Sequence, residues 1–431
     1  MHQARMNILH LSTNDIGGGA AVSAYRLHIG LRRLGLNSQM LVSGKNSDDF
    51  TVFGATSSLE KLWSRLAAQL DALPRRLLTT PNASLISPAL VWENTAKRAL
   101  ALNPEIIHLH WTQGGFLRPS SVLHLARTHT PKPIVWTLHD MWAFCGGEHY
   151  VGDDTRYQTG YRADNRPKGE AGFDLNRWLW NRKRRAWKNL DRFTRITIVT
   201  PSKWLADCAR KSVLLGQYTV LTIPYGIDLE RFKPISKRAA REILNLPHDK
   251  TLIMFGAMSA TSDLRKGFQF LRPTLDHLAQ DAAFSAHTEL VIFGSSEPRN
   301  PERFGFNTTY LGRLTDEISI ALAYSAADVF VAPSTEDNLP NTVLESLACG
   351  TPVVAFHIGG MPDMIDHEHN GYLAHPFDVE DLAHGIRSVL ASPERLQELS
   401  QAARAKAERE FPLTLQASRY HELYRSLLET S

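Results

Sequence analysis

The feature that most limits how this chain can fold is an alternation of short apolar runs with longer amphipathic stretches, played through twice. Runs at Asn7 to Ser12, Ser38 to Ser43, Ile106 to His110, Ile134 to Leu138, Ile196 to Thr200 and Val220 to Ile223 read as buried strands. Helical or loop sequence separates them, the clearest helix being Ala20 to Leu34, closed by Gly35. From Thr251 the pattern restarts, with strands at Leu252 to Phe255, Glu289 to Phe293, Thr309 to Leu311, Asp328 to Val331 and Pro352 to Ala355. Buried strands alternating with helices build parallel sheets covered on both faces. The expectation is an α/β chain of two doubly wound, Rossmann-like domains, residues 1–225 and 226–412, facing a central cleft. The turn-rich stretch PYGIDLERFKPIS joins them, and an amphipathic helix within 413–431 is expected to pack back on the first domain.

Composition narrows the function classes. With 43% hydrophobic and 21% charged residues in a chain of 431, neither disorder nor a fibrous class is favoured, and the length suits two domains of about 200 residues. No run approaches the roughly 18 apolar residues of a membrane span. The start, MHQARMNILHLS, runs straight into a strand without the apolar region of a secretory signal, so a cytoplasmic protein is expected. The three cysteines are odd in number and widely separated, which fits packing in a reducing compartment. A net charge of +4 without a nucleic-acid motif argues against a nucleic-acid partner. One segment, Arg177 to Arg195, interleaves Trp178, Trp180 and Trp187 with a run of cations. It reads either as a helix resting on an anionic membrane surface or as one that buries its tryptophans in its own domain.

The richest local signal is VAPSTEDNLPNTVLESLACGTPVVAFHIGG, residues 331–360. A buried strand runs into a polar, proline-marked loop, then a short helix from about Thr342 to the Cys349-Gly350 cap, then a second buried strand. Ligands of open parallel sheets sit beyond the carboxyl ends of the strands, where a helix N-terminus favours a diphosphate. Glu345 is placed to reach the vicinal hydroxyls of a ribose. Thr342-x-x-Glu345 equally fits a capping box. The concentration of acids and an amide at Glu336-Asp337-Asn338 favours a binding role.

Three further places carry chemistry. Gly17-Gly18-Gly19 joins the first strand to the first helix and lets a backbone approach a bound anion, but it does not complete the dinucleotide pattern GxGxxG. Arg265-Lys266-Gly267 follows the first strand of the second domain and offers two cations to a departing diphosphate. His139-Asp140 ends a strand with an imidazole and a carboxylate suited to orienting a sugar or moving a proton. His108 and His110 share one side of a strand, yet no third ligand is evident, so no metal is expected.

Taken together, GGGAAVSAYRL, TLHD, PSKWLAD, IPYGIDLERFKP, RKGF, YLGRL and EDNLPNTVLESLACGTPVVAF resemble glycosyltransferase family 4, the group 1 retaining transferases of GT-B fold. The likeness spans nearly the whole chain in order, and HDMWAFCGGEHY resembles a bacterial branch that builds colanic-acid-type and other surface polysaccharides. The resemblance implies a retaining, metal-independent glycosyltransferase without cofactor. A UDP- or GDP-sugar would be the donor and a saccharide or lipid-linked oligosaccharide the acceptor, with membrane contact through 177–195. It implies that Glu345 holds the donor ribose and that the acid eight residues earlier, here Asp337 with Glu336 beside it, meets the sugar. Lys266 matches the diphosphate lysine. Its partner arginine is absent from Gly256-Ala257-Met258, and Arg265 is the substitute at hand. Gly18 and Gly19 match the loop near the donor phosphates, His139 a histidine beside the sugar, and Arg313 the place where the base is cradled. Asn338, Leu339, Asn341, Thr342 and Val343 complete the donor loop and helix start. Two other functions fit the same architecture: a sugar-nucleotide epimerase and a non-catalytic nucleotide-sugar sensor.

Overall fold

The computed structural model describes residues 6–80, 82, 84–256, 263–294 and 304–429. They fall into two compact units, one from Met1–Gly226 with Thr414–Ser431 and the other from Ile227–Leu413.

The first unit is built on a seven-stranded sheet of β1 (Asn7–Asn14), β2 (Asn37–Gly44), β3 (Val52–Phe53), β4 (Ile106–Leu109), β5 (Ile134–Thr137), β6 (Ile196–Thr200) and β7 (Thr219–Thr222). All neighbours are parallel and the order is β3-β2-β1-β4-β5-β6-β7, so the winding reverses between β1 and β4. Register sets Ile8 opposite Ser38 on one side and Ile106 on the other. One core joins Leu9, Ile107, Trp136 and Ile198 to Trp142 and Trp187. A second joins Ile8, Ile106, Val135 and Val199 to helix α1 (Gly19–Arg33) and to Ala417, Tyr420 and Tyr424 of the last helix, Leu413–Glu429. Each such side chain taken wholly from water contributes about 1.5–3 kcal/mol.

The second unit repeats the plan with β8 (Thr251–Gly256), β9 (Thr288–Phe293), β10 (Asn307–Gly312), β11 (Val329–Ala332), β12 (Val353–Phe356) and β13 (Gly371–Ala374). Its parallel order is β10-β9-β8-β11-β12-β13, with the reversal between β8 and β11. Helices α4 (Phe268–Leu278) and α5 (Asn341–Ala348) follow the two strands at that reversal. This is the GT-B class of fold expected from sequence, two parallel-sheet α/β units. Strands β3 and β13 and a short antiparallel ladder of Leu78–Thr79 with Ala171–Gly172 were not expected; the two-residue pieces give too little pattern to read.

Two readings left open by the sequence are decided. Helix α5 starts at Asn341 with Pro340 as its cap and no side-chain cap bond, so Thr342 and Glu345 do not form a capping box. Helix α3 (Leu175–Trp187), capped by Asp174, turns Trp180 and Trp187 into the core, with 4% and 1% of their surface exposed. Its Lys183 is buried too, donating to the carbonyls of Trp142, Cys145 and Gly146. Of the two readings open for this segment, Trp180 and Trp187 follow the one that buries them in their own domain, and Trp178 alone of the three is exposed. No helix among the described residues is long and apolar enough to cross a membrane. Cys145, Cys208 and Cys349 are free and buried.

Candidate functional site

In the second unit the loops after β8 and β11 meet at the winding reversal, where an open parallel sheet leaves a crevice. Asp263 caps the one-turn helix Leu264–Lys266, its carboxylate accepting from Arg265 N at 3.0 Å and from the Arg265 guanidinium at 2.7 Å. Gly267 follows at φ +75, and a side chain there would overlap the carbonyl oxygen of Pro333. Thr335 N donates to the Arg265 carbonyl at 2.8 Å, so the Arg265-Lys266 turn is sewn directly to the loop leaving β11.

That fastening delivers Lys266 Nζ to Asp337 Oδ2 at 2.7 Å. Burial raises the cost of ionising Asp337, but Lys266, then Arg265, outweigh it and hold the carboxyl below the usual carboxylate range. Ser334 Oγ lies 3.4 Å from the same oxygen, Asn338 N donates to Oδ1 at 3.1 Å, and Gly360 N donates to the Asp337 carbonyl at 3.1 Å. Gly359, at φ +51, packs so closely on the Asp337 backbone that a side chain would overlap its carbonyl oxygen. Asp337 is thus the buried acid and Glu336 the partly exposed one. Asn338, Leu339, Val343 and Glu345 are buried; Asn341 and Thr342 are half-buried at the first turn of α5. Arg313 is exposed, one residue beyond β10. Ala257 and Met258, where the family's partner arginine is expected, lie outside the described residues.

In the first unit, Gly17 and Gly18 adopt φ +112 and +95, values only glycine holds freely, and Gly18 caps α1 over open space. Asp15 below them is structural, accepting from Ile16 N, Asn46 N and Ser47 N at 2.8–2.9 Å.

His139 and Asp140, expected to act as a pair, part company. Asp140 accepts from Trp142 N at 2.9 Å and Trp111 Nε1 at 3.0 Å and bonds His149 at 2.6 Å. His139 shares hydrogen bonds with Tyr225 Oη at 2.6 Å and His110 at 3.2 Å, which occupies both ring nitrogens. Burial, opposed by Asp140, pushes this imidazole down to about 4. The bonding continues from His110 to His10 at 2.9 Å. Sequence reading missed His10, whose strand β1 lies beside β4 so that His10 registers against His108. The pattern of one strand does not reveal the strand that pairs with it.

The nitrogens of His10, His108 and His110 lie within 4.8 Å of one another, the spacing a metal ion needs. Their bonds are mostly spent elsewhere. His108 bonds Tyr424 Oη at 2.6 Å and Thr137 Oγ1 at 2.7 Å, and His110 is bonded at both nitrogens. Among the described residues, His10 Nε2 is the one nitrogen of the three without a partner. His10 and His110 share a hydrogen bond and the ring of His108 lies against both, and all three are held well below the usual histidine range, first by burial.

Residues 249–392 match the family described as glycosyl transferases group 1, and residues 17–231 match glycosyltransferase family 4. The D-inositol 3-phosphate glycosyltransferase of Saccharomonospora viridis is 32% identical over 203 residues, 44% of this chain and 46% of that protein. The chain thus spans about half the length of the curated relatives it matches. Sucrose-phosphate synthase of Thermosynechococcus elongatus superposes with TM-score 0.68 at 19% identity over 99% of this chain and all of that one. Anabaena HepE, crystallised with UDP-glucose, superposes with TM-score 0.62 at 16% identity over 98% of this chain and all of that one. At such identities these likenesses speak for the fold, which is the two-unit α/β plan described above. With both family patterns falling in order, one in each unit, the chain belongs to the group 1 glycosyltransferases of family 4.

Proposed function

We propose that this protein transfers a sugar from a nucleotide-sugar donor to an acceptor hydroxyl with retention of anomeric configuration. The observation that carries the reading is the Lys266–Asp337 pair at the winding reversal of the second unit, with Glu345 one turn into the helix that begins there. The donor diphosphate lies against Lys266 and the first turn of α5, with Arg265 adding charge. Glu345 takes the ribose hydroxyls, and Asp337, Asn338 and Leu339 border the sugar. Positive charge from Lys266, Arg265 and the helix N-terminus stabilises the departing diphosphate, so the reaction runs without a metal. Asp337 keeps the Lys266 ammonium aimed until the diphosphate shares it. The base is cradled near Arg313.

Relatives named as a D-inositol 3-phosphate glycosyltransferase and a sulfoquinovosyl transferase, and a neighbour crystallised with UDP-glucose, support a UDP-sugar donor and a polar acceptor, which we propose to be a saccharide or a lipid-linked oligosaccharide. The setting we propose is bacterial surface polysaccharide synthesis. Calorimetric titration with UDP, GDP, ADP, dTDP and CMP tests the donor site. We expect selective binding of UDP or GDP, weakened about 10- to 100-fold in Lys266→Ala through loss of a charge-assisted bond. Equal binding by wild type and variant overturns the site.

A further inference from the structure

We propose that an arginine-lined pocket in the first unit binds a phosphate group, free or as the monoester of a small polar molecule, at a site separate from the donor residues of the second unit. The pocket begins with the way α3 is turned. With Trp180 and Trp187 taken into the core, Arg177, Asn181 and Arg184, spaced four and three residues apart, share one face of the helix. Opposite them stands the turn of residues 159–163, and the two enclose, with Val213, a cavity of about 410 Å³. Small-molecule sites run from about 300 to 1,000 Å³. All of its lining belongs to the first unit, whereas Lys266, Asp337 and Glu345 belong to the second.

The wall is built to shape. Gly160 sits at φ +87, which glycine holds freely, and a side chain there would come within 3.1 Å of the Trp180 ring, so the turn lies flat against the indole. Asn165 pins it at two points, donating to the Gly160 carbonyl at 2.8 Å and accepting from Arg162 N at 2.9 Å.

Charge and unfilled bonds select the ligand. Arg162, Arg177 and Arg184 line the cavity, and no acid does. Asp164 meets Arg162 Nε at 3.1 Å and Asp174 meets Arg177 Nε at 2.9 Å, so three cations stand against two acids that lie outside the lining. Arg184 is exposed, lies over the Trp180 ring at 5.8 Å and has no ion pair among the described residues. A guanidinium carries five N–H groups, so each of the three keeps donors for a ligand. Trp180, 4% exposed, adds a buried Nε1–H without a partner among the described residues, and a buried donor left unpaired is costly. A phosphate monoester presents three terminal oxygens and about two negative charges, enough to meet several guanidiniums at once. A carboxylate presents only two oxygens and a single charge.

The test is calorimetric titration of the full chain at low salt with glucose 6-phosphate, inorganic phosphate, glucose and glucuronate. We expect both phosphates to bind and to weaken as salt is raised, glucose to give no heat, and glucuronate to bind about tenfold or more weakly than glucose 6-phosphate. Arg184→Gln should weaken the phosphates about tenfold, and Ala163→Glu, which sets an acid among the cations without removing one, about as much. Both positions are exposed, and an unchanged circular dichroism spectrum verifies folding. Tighter binding of glucose 6-phosphate assigns the pocket to an ester and equal affinities assign it to free phosphate; either upholds it. Silence from both phosphates, affinities that both variants leave unchanged, or glucuronate binding as tightly as glucose 6-phosphate overturns the proposal. So does loss of phosphate binding in Lys266→Ala, because the phosphate would then sit in the donor site.

Discussion

Replacing His28 by glutamine should make the first unit less sensitive to acid, and the size of the change follows from its burial. His28 is wholly buried between Ser38 Oγ at 2.8 Å and Thr51 Oγ1 at 2.9 Å. Burial pushes its imidazole down to about 4, partly offset by Asp49. In the unfolded chain it titrates near the ordinary value of 6.5. Between these values the unfolded chain holds the extra proton, so stability rises with pH, is fully present above about 6.5 and is lost as pH falls towards 4. At about pH 5 that loss amounts to roughly 2 kcal/mol. Glu148, pushed up to about 7 by burial, acts in the opposite direction over the same window, so the comparison with the variant carries the test. Urea unfolding at about pH 7.5 and pH 5 should give a pH-dependent loss smaller by about 2 kcal/mol in His28→Gln than in wild type. At pH 7.5 the variant should be about 1–3 kcal/mol less stable, since two buried hydroxyls must find a new partner. An identical pH dependence in the two proteins would show that His28 is not a buried neutral imidazole.

Two further outcomes are expected. Lys183→Met should destabilise the first unit by about 1–3 kcal/mol, because the carbonyls of Trp142, Cys145 and Gly146 lose a buried amine donor; a thermal midpoint within a degree or two of wild type would contradict it. Gly267→Ala should weaken nucleotide binding about tenfold or more by pushing the Arg265-Lys266 turn off Pro333, at a conformational cost of about 1–3 kcal/mol. Calorimetry with UDP checks this, and unaltered affinity would mean that the turn and the β11 loop are not held together as described.

The sequence by itself determined the two parallel-sheet units, because a buried parallel strand must be apolar along its length and the helix that follows must be amphipathic, and both patterns are local. It also marked the candidate site residues, since Gly17-Gly18-Gly19, Arg265-Lys266-Gly267 and the loop to Glu345 each stand where a strand gives way to a helix. Tertiary structure decided which groups touch. The bond between Lys266 and Asp337 joins residues 71 apart, and depends on two glycines whose missing side chains admit the backbones of Pro333 and Asp337. Adjacency in sequence misled at His139-Asp140, whose side chains enter different networks, and hid His10, which reaches His110 only because β1 and β4 pair. The tryptophans were open to two readings. Both α2 (Ser58–Ala72) and α3 are amphipathic, and periodicity says only that a helix has an apolar face. Which face is buried depends on the partners the rest of the chain brings to it: α3 meets the core around Trp142, whereas the stripe on α2 is left exposed.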